Sequence, residues 1–154
     1  MDFPPRPSPI DQPVALYVTC LVDYLSPEVG IAVVRLLEHL GITVTFPAAQ
    51  TCCGQPAYNG GYQHEARPLA ERFLDVFHDA PVIVCPSGSC TTMIRHEYPR
   101  LFANDPARAE QARAIAARTW EFTEYLVDGL GRTDLGLRLR APQTFALHDS
   151  CHGL

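Results

Sequence analysis

Two cysteines stand side by side at Cys52 and Cys53, within Thr51-Cys52-Cys53-Gly54-Gln55-Pro56, and four more occur at Cys20, Cys85, Cys90 and Cys151. Neighbouring side chains leave an extended backbone in opposite directions, so packing into one core explains the adjacent pair poorly. Thiolates are soft ligands that select zinc, copper(I) or iron–sulfur clusters. Structural zinc usually takes paired cysteines about two to four residues apart, a spacing that only Cys85 and Cys90 meet. A protein using thiols directly would favour Cys-x-x-Cys with an acid–base neighbour, and neither accompanies Cys52-Cys53. The pair could also close a vicinal disulfide, or place one buried thiol beside an exposed one. The reading that accounts for most cysteines is a metal cluster held by thiols gathered at one place.

That place follows from the elements that carry them. Val14-Ala15-Leu16-Tyr17-Val18-Thr19 is a short apolar, β-rich run ending at Cys20. Ser26-Pro27-Glu28 has a capping residue, a proline suited to the first helical turn and an acid for the positive end of the helix dipole. Behind it Val29, Val33, Leu36, Leu37 and Leu40 recur at helical spacing until Gly41. Ile42 to Phe46 alternates as a strand, which completes a βαβ unit with parallel strands and a right-handed crossover. A second helix from near Gln63 buries Leu69, Phe73, Val76 and Phe77, and Val82-Ile83-Val84 is a third strand ending at Cys85. Pro86-Ser87-Gly88-Ser89-Cys90 turns into a helix ending near Pro99, and Asp105-Pro106 starts another over Ala107 to Arg118. Trp120, Phe122, Leu126 and Val127 fit a further helix, and Thr144 to Leu147 a last strand leading to Cys151.

The expected fold is therefore α/β, an open parallel sheet of about four strands with flanking helices and cysteines at the carboxyl ends of the strands. Ligand sites in such sheets form beyond those ends, where helix amino termini and free N–H groups favour thiolate. His148 and His152 flank Cys151, whereas His39, His64, His78 and His96 fall on helices or their ends, where a solvated role is the ordinary one. Gly54 and Gly88 suit close backbone approach and N–H donation to cluster sulfur, or ordinary turns.

The chain has 154 residues and is 47% hydrophobic, enough for one domain with a core. Its 12 basic residues, all arginine, against 17 acidic ones give a net charge of −5, which argues against nucleic acid. Apolar runs fall well short of the roughly 20 residues of a membrane span, and residues 1–13, rich in proline, are expected to be a flexible tail rather than a signal sequence. The expected location is cytoplasmic, where cysteines serve metals or redox chemistry more often than structural disulfides. Neither a Gly-x-Gly-x-x-Gly after the first strand nor a Walker loop occurs, so nucleotide binding is set aside.

A cysteine followed after 31 residues by Cys-Cys-Gly and then a further cysteine-bearing loop resembles the cysteine-rich CCG domain of heterodisulfide reductases and of the glycolate oxidase iron–sulfur subunit. Tyr17-Val18-Thr19-Cys20, Thr51 to Asn59, Pro86 to Cys90 and His148-Asp149-Ser150-Cys151-His152 resemble the lactate utilization protein A family more closely. The resemblance implies an iron–sulfur protein, of 4Fe–4S type, acting with two partner subunits to oxidise L-lactate to pyruvate. It implies Cys20, Cys52, Cys53 and Cys90 as ligands; Cys85 is also expected at the cofactor, and zinc is expected as a substitute occupant after aerobic preparation. Family members usually carry two such motifs, and Cys151 resembles the start of the second. Residues 14–154 are thus expected to be a single domain forming the amino-terminal half of a longer protein, able to pair with another copy where that half is isolated.

Overall fold

The structure, a computed structural model, describes residues 6–138 and 140–146. Strand β1 (Val14–Leu16) lies between β2 (Val44–Thr45) and β3 (Val82–Cys85), and β4 (Thr119–Glu121) pairs with the far side of β3. Every pairing is parallel, with Val14 opposite Val44 and Val82, Leu16 opposite Val84, and Val84 opposite Trp120. The α/β sheet of four strands expected from the sequence is present, in the order β2-β1-β3-β4.

Alternation along the strands divides the core between the two faces of the sheet. Val14, Leu16, Val82 and Val84 pack with Val33 and Leu37 of helix α2 (Pro27–His39) and with Trp120 and Tyr125. Ala15, Tyr17, Ile83 and Cys85 face the opposite way. There they meet Phe73 and Leu74 of α4 (Gln63–Val76), Met93, Ile94 and Tyr98, and Ala112 and Ile115 of α7 (Pro106–Arg118). Phe73 stacks on Phe77 at 4.5 Å and meets Tyr17 edge-on at 4.9 Å, the aromatic centre of this second face. Among the described residues no helix is long and apolar enough to cross a membrane.

Several local expectations are corrected. The fourth strand is Thr119–Glu121, and Trp120 belongs to it rather than to a helix. Thr119 and Trp120 are β-formers, and Glu121 ends the strand by capping: its carboxylate accepts the Thr123 and Glu124 N–H groups while Glu124 accepts that of Glu121, starting α8 (Phe122–Glu124). Thr144, Phe145 and Ala146 form no strand, and Phe145 is exposed, so no neighbour rewards their extended propensity. Leu147 lies outside the described residues. Ser26 makes no side-chain cap and Val29 faces solvent, while Asp105 does cap, accepting the Arg108 N–H.

Two short helices were not expected: α1 (Cys20–Leu25) and α3 (Gln55–Asn59). Pro99 does not stop its helix. It has no N–H for the Arg95 carbonyl, and the chain passes from α5 (Gly88–Thr92) through a π turn over Met93–Glu97, with Tyr98 N–H reaching Met93 O, into α6 (Tyr98–Leu101).

Candidate functional site

The thiols enter from three strand-to-helix turns at the carboxyl end of the sheet. After β1, the Thr19 hydroxyl accepts the Val22 N–H and caps α1, so Cys20 opens that helix. After β3, the Ser87 hydroxyl accepts the Cys90 N–H and caps α5, placing Cys90 in its first turn. The loop after β2 carries Cys52 and Cys53 and has no repeating hydrogen bonds of its own, so side chains fix it.

Gln50 does most of this at the sheet edge. Its Oε1 accepts the Val18 N–H at 2.7 Å, and its Nε2 donates to Leu16 O at 3.1 Å and Pro47 O at 3.0 Å. The amide thus takes the place of a neighbouring strand where β2 has ended. Tyr17 Oη donates to Thr51 O at 3.0 Å, Tyr98 Oη to Cys53 O at 2.9 Å, and Gln55 Nε2 to Ser89 O at 2.9 Å. Burial holds both tyrosine hydroxyls well above their ordinary pKa, so both remain donors. Gly54 follows with φ of 81°, and a Cβ there would stand 3.2 Å from Ala66 O. Both the left-handed conformation and the close approach to α4 require glycine. Gly88 has neither constraint, since a Cβ there meets nothing within 4 Å.

This scaffold sends the adjacent cysteines in different directions. Cys52 faces Cys20 with sulfurs 3.6 Å apart, an outer pair in which Cys20 is exposed and Cys52 partly so. Cys53 turns inward to Cys90 with sulfurs 3.4 Å apart, and both are buried. Partners on opposite sides of the loop disfavour the vicinal disulfide, and all five described cysteines are free. Cys85, fully buried at the end of β3, donates to Ser87 O at 3.6 Å and interacts with Cys90.

The inner thiols divide one proton unequally. The hydrogen bond to Cys90, then burial, pushes Cys53 up, while hydrogen bonds from Cys53 and then Cys85 pull Cys90 down to about 3 against its own burial. Burial holds Cys85 well above the usual thiol range, and burial followed by the bond to Cys52 raises Cys20. Gly54 N–H donates to Cys52 Sγ at 3.4 Å, the kind of contact that tunes a cluster's potential.

Among the described residues no three His, Cys, Asp or Glu side chains converge on one point. The donors instead form two facing pairs, whose chemistry suits a thiophilic metal group. Cys151, His148 and His152 lie outside the described residues. Gln50, Tyr17, Tyr98 and Gln55 were not singled out from the sequence. The available signals were slight: Tyr17 is the one aromatic hydroxyl in an apolar run, and Gln50 stands just ahead of the double cysteine.

The profile of the CCG cysteine-rich domain matches residues 14–95, the segment that carries all five described thiols. Lactate utilization protein A of Bacillus subtilis is 51% identical over 139 residues, covering 90% of this chain and 57% of that protein. Its namesake from an Exiguobacterium species is 53% identical over 141 residues, 90% of this chain and 56% of that one. Lactate utilization protein A 1 of Bacillus cereus is 49% identical over 139 residues, again 90% and 57%. The chain spans a little over half the length of these curated relatives. No solved structure matches. With the family profile covering β1 to β3, the turns that follow them and all five described thiols, the chain belongs to the CCG cysteine-rich domain family.

Proposed function

We propose that this chain is the thiol-bearing lobe of an iron–sulfur electron-transfer subunit in a system that oxidises L-lactate to pyruvate, the first of two such motifs in a longer protein. The observation that carries this reading is the delivery of Cys20, Cys52, Cys53 and Cys90, in two facing pairs, to the carboxyl end of a parallel sheet. The relatives' name supports the substrate. Cys20, Cys52, Cys53 and Cys90 are the ligands, and Cys85 sits beside Cys90 as a further cofactor contact. A cluster of 4Fe–4S type bound there supplies one-electron redox chemistry.

The chain's own residues orient and shield. Tyr17, Tyr98 and Gln50 fix the loop, so the pair Cys52-Cys53 is aimed before any metal arrives. The buried aromatic side chains of Tyr17, Phe73 and Tyr98 belong to the same core cluster as Cys53 and Cys90 and exclude water beneath the inner thiols. Oxidising a hydroxy acid to a keto acid releases two electrons and two protons, which assigns the substrate chemistry to other subunits of a lactate-oxidising complex and the onward transfer to this one.

A second occupant, zinc, has one observation in its favour. Two thiolates at about 2.3 Å on tetrahedral zinc stand about 3.8 Å apart, near the 3.4 and 3.6 Å seen here. Serine variants test the ligand set on protein purified without oxygen. Cys52→Ser and Cys53→Ser should each lower iron affinity by more than the roughly 10–100-fold cost typical of a change merely beside a metal ligand, with far-ultraviolet circular dichroism preserved. Unchanged iron in both would sink the assignment, and stoichiometric zinc without sulfide would select the zinc reading.

A further inference from the structure

The outer thiols can react with each other as well as bind a metal. Cys20 Sγ and Cys52 Sγ are 3.6 Å apart, and both line an open cleft of about 240 Å³ with Val18, Asp23, Phe46 and Gln50. The inner sulfurs are closer at 3.4 Å, yet Cys53 is 1% and Cys90 8% exposed. Proximity is therefore common to both pairs, and access to a dissolved oxidant belongs to one.

We propose that in the metal-free chain Cys20 and Cys52 form a reversible cross-loop disulfide with a low-molecular-weight disulfide as oxidant, while Cys53 and Cys90 stay reduced. The inference goes beyond the proposed function, since it holds whether the site's metal is an iron–sulfur cluster or zinc. The exposed Cys20 thiolate attacks one sulfur of the reagent, whose S–S bond breaks and releases the first thiolate. The Cys52 thiolate then attacks Cys20 Sγ in that mixed disulfide and displaces the second. Two protein thiols lose two electrons and two protons in all, and the reagent, reduced by the same two electrons, leaves as two thiols.

The product ties the start of α1 to the cysteine loop once the sulfurs close from 3.6 Å to the about 2.05 Å of a disulfide. It occupies half of the donor set, so an oxidised chain takes up metal only after reduction. It also forestalls the vicinal Cys52-Cys53 link, which would need Cys53 to leave Cys90.

The test treats metal-free full chain with glutathione disulfide, blocks free thiols and maps the linkages by tandem mass spectrometry. The expected result is one internal disulfide between Cys20 and Cys52, with Cys53, Cys85 and Cys90 alkylated only after denaturation. Dithiothreitol should restore all the thiols and, with them, metal uptake. Cys52→Ser should stop at a glutathione adduct on Cys20, and Cys53→Ser should still form the Cys20–Cys52 bond. A Cys53–Cys90 or Cys52–Cys53 linkage appearing first would overturn the proposal. So would a glutathione adduct that persists on Cys20 of the unsubstituted chain.

Discussion

Each thiol pair takes one of two adjacent residues of one loop, and the two pairs stand in opposite surroundings. In the outer pair Cys20 lies on α1, a helix with no buried side chain, and Cys52 on the loop that Gln50 holds at the sheet edge. The inner pair is part of the core, with Cys53 and Cys90 in the same apolar cluster as Phe73 and Tyr98. The difference teaches that one loop can couple a rigid half and an accessible half of a donor set. Gly54 makes the division possible, because its left-handed backbone turns the chain away just after Cys53.

Substitutions around the inner pair should then cost stability in the metal-free chain, and those around the outer pair should not. The largest effect is expected at Phe73→Ala, which empties the aromatic centre between Tyr17, Phe77 and Tyr98. Chemical denaturation should show a loss of about 3–5 kcal/mol, and a loss below about 1 kcal/mol would mean this face is not the core described. Gly54→Ala should follow, at about 1–3 kcal/mol for an alanine held at positive φ and crowded against Ala66 O. A neutral result would show that the turn can relax and that the pairs are not fixed by it.

Tyr98→Phe leaves the Cys53 carbonyl buried and unsatisfied, so about 1–2 kcal/mol is expected. Tyr17→Phe frees the carbonyl of the exposed Thr51, which water can reach, and should cost less. The reverse order in matched denaturation curves would break the inner–outer distinction. The smallest effect is expected at Cys20→Ser, within about 0.5 kcal/mol for an exposed site, even though bound iron should fall sharply. Equal destabilisation by Cys20→Ser and Cys53→Ser would show that burial does not separate the pairs.

Much of the fold was legible because its signals are local. Proline before β1, the Val33–Leu37 stripe of α2 and the Asp105-Pro106 start of α7 each act within a few residues. The fourth strand was not legible, since Trp120, Phe122 and Leu126 fit helical spacing and only pairing with β3 selects the extended form at Thr119–Glu121. Thr144–Ala146 had strand propensity without a partner in the sheet. The thiols' place at the strand ends could be read from the order of elements. Which cysteine faces which could not, because it depends on the Gly54 turn and on hydrogen bonds from Gln50, Tyr17 and Tyr98 that reach the loop from other elements.

Iron, acid-labile sulfide and zinc per chain, measured on protein purified without oxygen, test the central claim most directly. An iron–sulfur lobe should contain iron and sulfide in near-equal amounts, both lost together from Cys20→Ser and Cys53→Ser. Zinc without sulfide, or a full complement of iron in those variants, would contradict it.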